Sequence, residues 1–315
     1  MKVGIALAAF QPEINVFVKQ LLSIQKQSHK DWICIVSFDS PIEKVLTEPA
    51  LLPFKQDLRF IWTENKIRMG HKKNFETAIQ TALQHSVDYI ACSDQDDIWY
   101  ENKLFECVEN LKKQPKLSLV HSDMHILHMT RLNEVIAPET AWKLEHRGIH
   151  NTRPKHFYIR NIVAGCSMML DAELVRRYPT IPEDAEYHDW WYALAASYHG
   201  GIQGIPQPLY AYRQHDNNEV GVTPYHTMFA VPKGSTAGTL LKKCKTGWLK
   251  SYRLACGAQS AGLPLSFLEK IIFLYPFDLG LGLFLMALMN CRKDPPMTRA
   301  CIARGIGKFL HVIHL

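Results

Sequence analysis

Asp88-Tyr89-Ile90-Ala91-Cys92-Ser93-Asp94-Gln95-Asp96-Asp97-Ile98-Trp99 is the stretch on which the reading of this chain turns. The short apolar run that follows Asp88 has the pattern of a strand covered on both faces. It ends in three carboxylates within four residues. Like charges packed at a strand end repel one another unless a cation neutralises them. The carboxyl edge of a parallel sheet is where open α/β proteins bind ligands. A hard divalent ion, Mg²⁺ or Mn²⁺, held by one or two carboxylates together with substrate phosphate oxygens, suits such a cluster. The competing reading makes Asp97 a helix cap near Glu101 and leaves Asp94 and Asp96 as solvated turn residues.

Working outward, apolar runs alternate with helical spacing. Residues 3–10 form a continuous apolar run. Ile14, Phe17, Val18, Leu21 and Leu22 then recur at three and four, which predicts an amphipathic helix over residues 13–27. Strands are expected at 32–38, 58–63, 88–92 and 117–121, with helices at 72–85 and 101–113 between them. Strands alternating with helices imply right-handed crossovers and a mostly parallel sheet. After His121 the rhythm breaks, and residues 123–160 carry no strong period. Residues 161–170 read as an apolar, Gly-containing strand, 171–177 and 189–198 as helices, and 202–208 as a returning strand.

The chain has 315 residues, 47% of them hydrophobic and 21% charged, enough to bury a full core and unlike a disordered, collagen-like or coiled-coil protein. Eight cysteines with no C-x-x-C suit neither a secreted disulfide framework nor a zinc ribbon, so a reducing cytoplasm is the expected compartment. The first apolar run is too short for a signal peptide. From Lys233 onward twelve Lys and Arg face only Glu269, Asp278 and Asp294, a net of +9, whereas the 24 basic and 27 acidic groups before it leave −3. Such a basic tail suits an anionic membrane leaflet or nucleic acid, and no aromatic–basic interleaving supports nucleic acid. Residues 271–289 are long and apolar enough to be considered a membrane span, yet Pro276, Asp278, Gly280 and Gly282 interrupt them. An interfacial helix pair, a span and a pair buried against protein all stay open, and Lys242, Lys243, Lys245, Arg292, Lys293, Arg299, Arg304 and Lys308 flank the stretch.

Ser93-Asp94-Gln95-Asp96-Asp97-Ile98-Trp99 resembles the Asp-x-Asp site of inverting family-2 glycosyltransferases, in particular the bacterial polysaccharide and rhamnosyltransferase-like branch. Four further segments fall in the order that family shows, and the likeness covers residues 1 to about 221. It implies that Asp39 accepts the N3–H of uracil or thymine, in a segment lacking the doubled Asp and Gly often seen there. It implies that Ala9, Phe10 and Gln95 border the donor nucleotide. The loop Asn65 to Asn74 resembles an Asn-x-Gly-x-x-x-Asn loop, which implies donor contacts from Arg68, Lys72 and Asn74, with Lys73 as a further cation. Cations and the free N–H groups of a helix start both favour anions. Asn161 to Met168 resembles an acceptor-side segment, with Gly165 and Cys166 at the sugar.

His188-Asp189-Trp190-Trp191 falls where the family carries Glu-Asp, so the likeness implies that Asp189 is the general base, with His188 replacing the usual Glu. Trp190 and Trp191 would offer flat faces to the acceptor sugar. Tyr212-Arg213-Gln214-His215 to Gly221 resembles Tyr-Arg-x-His-x-x-Asn-x-x-Gly. This implies that His215 joins Asp94 and Asp96 around the metal and that Arg213 offsets charge on the departing nucleoside diphosphate.

The expected architecture is therefore α/β: a GT-A, Rossmann-like mixed sheet over residues 1–230 and a basic, apolar, helical C-terminal extension over 231–315. The expected function is inverting, Mn²⁺- or Mg²⁺-dependent transfer from a nucleoside-diphosphate sugar, dTDP-rhamnose or a UDP-hexose, to a saccharide acceptor. A lipid-linked acceptor met at the inner face of the cytoplasmic membrane, in surface polysaccharide synthesis, is the setting these features imply. Clustered Asp residues also suit a metal-dependent nucleotidyltransferase or phosphoryl-transfer enzyme, against which stands the absence of a G-x-x-x-x-G-K-S/T loop. A membrane-tethered sugar-nucleotide-binding protein would have no need of all three of Asp94, Asp96 and Asp189.

Overall fold

The computed structural model describes residues 1–129, 134–147, 152–215, 221–224, 236–275, 278–290 and 294–312. Of the segments discussed above, residues 130–133, 148–151, 216–220, Lys233 with the expected boundary at 230/231, Pro276, Arg292 and Lys293 lie outside them. The strands are β1 (Val3–Ala9), β2 (Trp32–Phe38), β3 (Phe60–Glu64), β4 (Tyr89–Ser93), β5 (Ile98–Trp99), β6 (Leu119–Met129), β7 (Glu134–Thr140), β8 (Met168–Asp171) and β9 (Ile202–Gln214). They form one sheet in the order β3-β2-β1-β4-β8-β6-β9-β5, with β7 on β6. β3, β2, β1 and β4 run parallel. β8 is antiparallel to both β4 and β6, so β6 and its parallel neighbour β9 regain the direction of β4.

The helices are α1 (Ile14–Gln25), α2 (Glu43–Leu46), α3 (Leu52–Gln56), α4 (His71–Leu83), α5 (Lys103–Leu111), α6 (Ala141–Glu145), α7 (Pro154–Phe157), α8 (Ala172–Arg177) and α9 (His188–Ser197). The C-terminal region adds α10 (Ala237–Ser260), α11 (Phe267–Phe273), α12 (Leu281–Asn290) and α13 (Pro295–Val312). Strand periodicity sends alternate residues to opposite faces. Val3, Ile5 and Leu7 join the core under α1, α3 and α5, while Ala6 joins the one under α4, α8 and α9. That second core continues without a break into Trp248, Leu254, Ile272, Phe273, Leu283 and Met297 of the C-terminal helices.

Three segments depart from the expectation. β6 runs on to Met129, because residues such as Asp123 find partners where an apolar pattern would require burial: the Asp123 carboxylate accepts the N–H groups of Met124 and Trp142 at 2.7 and 3.1 Å. β9 likewise continues to Gln214. Gly165 lies in a 3₁₀ turn, Gly165–Ser167, before β8 rather than inside a strand.

The apolar tail is broken into α11 and α12, and among the described residues no helix is long and apolar enough to cross a membrane. Asp278 explains the break. Its carboxylate accepts the N–H groups of Gly280 and Gly282 at 3.2 and 3.0 Å and pairs with the fully buried Lys308 of α13. Lys308 also donates to the carbonyls of Ile271 and Ile272, at 3.0 and 2.8 Å. α13 can approach α10 closely because Gly307 has no side chain: a Cβ there would lie 2.1 Å from the Cys244 carbonyl oxygen. Removing one partner of a buried ion pair leaves an uncompensated charge, so Lys308→Met should lower unfolding free energy by on the order of 3 kcal/mol. Urea denaturation measures it, and an unchanged midpoint would show that the pair contributes nothing.

Candidate active site

The carboxyl ends of β1, β2, β4 and β9 meet at one edge of the sheet, where they border a cavity of about 1030 Å³. After β4 the chain passes through Asp94 to Asp97 and returns as β5 antiparallel to β9, pairing Ile98 with Ala211 and Trp99 with Tyr210. This register sets Asp96 and Asp97 beside Arg213 and His215, more than a hundred residues later. The Arg213 side chain donates from Nε to the Asp96 carbonyl at 2.8 Å and its backbone N–H to Asp97 Oδ1 at 3.3 Å. The buried guanidinium also pairs with Glu134 at 2.9 Å.

Asp94, Asp96 and His215 all line the cavity. His215 Nε2 lies 2.8 Å from Asp96 Oδ2, and His71 Nε2 lies 3.7 Å from Asp94 Oδ1. Burial, and then the neighbouring charge of Asp94, push the Asp96 carboxyl above its ordinary value despite His215. Burial acts on Asp94 in the same direction, but the hydrogen bond and charge of His71 outweigh it and hold that carboxyl below its ordinary value. Asp97 is fully buried, and its Oδ2 has no hydrogen-bond partner. Ligand atoms of Asp94, Asp97 and Cys166 lie within 4.8 Å of one another. Burial raises the Cys166 thiol well above its ordinary value, so it is a proton donor, here to Tyr210 Oη at 3.2 Å, and not a thiolate. The hard carboxylate oxygens of Asp94 and Asp96 beside the His215 imidazole on the cavity wall fit a divalent cation, while Asp97 lies behind them, outside the lining.

Asp189 opens α9 in its first turn and lines the same cavity. Burial pushes its carboxyl up to about 6, against the Trp190 N–H at 2.6 Å and the charges of His71 and Arg147. His188 takes the place of the expected acidic neighbour as an uncharged ring. It stacks on Phe75 at 3.9 Å and 17°, and burial holds its pKa down near 3. Gly165 makes room for it, since a Cβ there would lie 2.7 Å from His188 Nε2.

On the donor side, Ala9, Phe10, Asp39, Arg68, Asn74 and Gln95 line the cavity. Gln95 accepts the Phe10 N–H at 2.8 Å and donates to its carbonyl at 3.2 Å, clamping β1 to the loop after β4. Asp39 accepts from Asn65 Nδ2 and from the N–H groups of Met69 and Gly70, so it holds the loop before α4 as well as facing the cavity. Asn74 spans the ends of β1 and β2 through the carbonyls of Ala9 and Ser37. The Arg68 guanidinium stacks 4.3 Å over Phe10. Lys72 is different from the expectation: its ammonium donates to the carbonyls of Pro182, Glu183 and Ala185, a loop-closing role outside the cavity.

On the acceptor side Gly165, Cys166 and Trp190 line the cavity, and Trp190 is fixed by its ring N–H on the Phe157 carbonyl. Trp191 corrects the sequence reading. It is fully buried and packs edge-on against Tyr178 at 6.1 Å, so it serves the core and not a sugar. Helix periodicity separates the two, because adjacent residues face directions about 100° apart. Sequence reasoning missed His71, Arg147 and Arg304 as cavity residues. His71 adjoins the cationic loop already singled out, but Arg147 and Arg304 belong to segments with no motif.

A mixed α/β sheet whose carboxyl edge gathers acidic residues, an imidazole and a half-buried aspartate in one large cavity has the position and the groups of a ligand site. The sequence model described as glycosyl transferase family 2 matches residues 12–176, and the chain belongs to that family and is a glycosyltransferase. A relative described as dTDP-rhamnosyl transferase RfbG of Shigella flexneri is 26% identical over 215 residues, 64% of this chain and 70% of its own. Among solved structures, S. aureus TarS 1-349 in complex with UDP-GlcNAc superposes with a TM-score of 0.54 at 11% identity, covering 100% of this chain and 91% of TarS 1-349. The same protein with UDP gives 0.53 at 11% identity, over 100% and 90%. At these identities the likeness shows the fold, a GT-A-like mixed sheet with a helical C-terminal region.

Proposed function

We propose that this glycosyltransferase moves a sugar, with inversion, from a nucleoside-diphosphate donor to a saccharide acceptor in bacterial surface polysaccharide synthesis. The observation that carries the reading is that one cavity holds Asp94, Asp96 and His215 together with the raised Asp189 carboxyl. Asp94, Asp96 and His215 would hold Mn²⁺ or Mg²⁺, which when bound supplies Lewis-acid stabilisation of the departing diphosphate. Arg213 keeps the Asp96–Asp97 turn in place through its bonds to both residues. Asp189 accepts the proton of the acceptor hydroxyl as that oxygen attacks the anomeric carbon. One displacement inverts the centre and needs no covalent sugar intermediate. The donor is dTDP-rhamnose, a choice supported by the name of the Shigella relative, with a UDP-hexose as the alternative supported by the TarS complexes.

The acceptor in this reading is lipid-linked, and the enzyme works peripherally on the inner face of the cytoplasmic membrane. Its support is an open apolar face: Leu281, Leu285 and Leu288 recur at helical spacing on α12 and are 61%, 51% and 69% exposed. Phe267 and Leu268 of α11 are exposed as well, in a tail rich in cations. The reading is tested by donor hydrolysis on a panel of UDP-, dTDP- and GDP-sugars with and without Mn²⁺ or Mg²⁺. Slow, metal-dependent release of one nucleoside diphosphate is the expected result. Absence of both hydrolysis and binding across the panel, the latter by calorimetry, would sink it.

A further inference from the structure

Glu134 opens β7, a strand that lies beside the main path of the sheet and has none of its seven residues fully buried. Val135 and Ile136 are exposed, so apolar burial is not what this strand contributes. What it delivers inward is the Glu134 carboxylate, whose Oε1 pairs with Arg213 Nη1 at 2.9 Å and with Lys19 Nζ of α1 at 2.5 Å. β7 pairs with β6, β6 with β9 and β9 with β5. Glu134 and the Asp96–Asp97 turn therefore stand on opposite sides of β9, and the Arg213 side chain spans them. Its Nε holds the Asp96 carbonyl at 2.8 Å while its Nη1 holds Glu134.

The Arg213 side chain is only 2% exposed, and a guanidinium so far withdrawn from water is costly unless a carboxylate matches its charge. Glu134 is suited to that, because the Lys19 hydrogen bond and then Arg213 hold its carboxyl below the ordinary value against the effect of burial. Without the carboxylate the guanidinium would turn toward water and release the Asp96 carbonyl. Asp96 is also the residue whose Oδ2 lies 2.8 Å from His215, two positions beyond Arg213. One arginine thus fixes the two halves of the site against each other. We infer that Glu134 is a positioning residue of the cation site: acting through Arg213, it holds the Asp96 turn against the end of β9. The inference rests on the proposed transferase reading and adds to it a residue from a strand with no motif. Lys19 shares the same carboxylate, but its side chain is 48% exposed, and a pair so open to solvent contributes little.

The probe is Mn²⁺, alone and with dTDP or UDP, its binding to the full-length protein followed through the electron paramagnetic resonance signal of the free ion. The Kd for Mn²⁺ should rise about fivefold in Glu134→Ala, the scale of one lost hydrogen bond to a charged group. In Glu134→Gln, which keeps an oxygen for Arg213 Nη1, it should rise only about twofold. Lys19→Met should bind as wild type does. In an Arg213→Met background Glu134→Ala should add nothing, because its effect passes through that guanidinium. Donor hydrolysis should show the same split, with the half-saturating Mn²⁺ concentration raised and the limiting rate at saturating metal kept. A role in folding alone would instead lower the melting temperature and the limiting rate and leave the Kd unmoved, which would overturn the inference. So would a loss in Lys19→Met as large as in Glu134→Ala, losses that add to those of Arg213→Met, or a wild type that binds no Mn²⁺ with or without nucleotide. Should Glu134→Ala fail to fold, Glu134→Gln decides, and a wild-type Kd there overturns the proposal. Donor hydrolysis with Mn²⁺ binding that ignores Glu134 defeats this inference while the transferase reading stands. Glu134-dependent Mn²⁺ binding without hydrolysis of any donor defeats the reading while the positioning role stands.

Discussion

Asp189→Asn should lower turnover by about 10²–10⁴-fold, the range expected for removing a positioned general base, and at the same time make the folded protein more stable at pH 7. Both effects have one cause. Burial raises the Asp189 carboxyl from 3.8 to about 6. A base must be ionised to act, so wild-type kcat/KM should fall about tenfold per pH unit below 6 and level off above it. For stability the sign is opposite to that of a salt-bridged carboxylate. Between pH 4 and 6 the folded protein keeps a proton that the unfolded chain has released, so stability falls as pH rises through that window and stays lower above it. The shift corresponds to about 3 kcal/mol at most, and partial exposure brings the expected cost to about 1–2 kcal/mol. Asparagine cannot ionise, yet its carbonyl oxygen can still accept the Trp190 N–H. The variant should therefore melt higher than wild type at pH 7 and equally at pH 4. Undiminished transfer by the variant would remove Asp189 from the chemistry. A lower melting temperature at pH 7 would show that its charged form is stabilised by the fold.

How much of this was legible in the sequence depended on what each signal reports. Continuous apolar runs report burial on both faces, and β1, β2 and β4 fell within a residue or so of the runs that foretold them. The clustered Asp residues were visible because like charges at a strand end are costly without a counter-ion, whereas Asp189 was visible only through its likeness to the Glu-Asp motif, since a carboxylate at a helix start is favourable in its own right. β6 beyond His121 was not legible, because Asp123 is paid for by backbone partners that no pattern announces. Lys72 and Trp191 carried the right residue types in the right segments, and only tertiary packing decided that one closes a loop and the other fills the core. The tail shows the same limit from the other side. Its apolar stretch left an interfacial pair, a span and a pair buried against protein open, and the contact that breaks it in two, Asp278 on Lys308, joins residues thirty positions apart. Arg304 had only its charge to offer until α13 set it on the wall of the cavity.

Asp96→Ala should abolish metal activation of donor turnover, a loss of about 10²–10³-fold if the ion supplies several kcal/mol of charge stabilisation. Asp96 differs from its neighbours in its position. Asp97 is turned into the protein, where Oδ1 takes the Arg213 N–H, whereas Asp96 faces the cavity with Oδ2 2.8 Å from His215. Burial and the charge of Asp94 both disfavour its ionised form, so a divalent cation binding there relieves a repulsion already present in the protein. EDTA should accordingly silence wild type, and Mn²⁺ should restore wild type but not the variant. His215→Ala should retain part of the response at higher metal concentration, because Asp94 and Asp96 remain. Its effect should appear in the half-saturating metal concentration more than in the limiting rate. Wild-type turnover that EDTA leaves unchanged would show instead that His71, His215 and the nearby arginines neutralise the diphosphate without an ion, and Asp96 would then act by orienting His215.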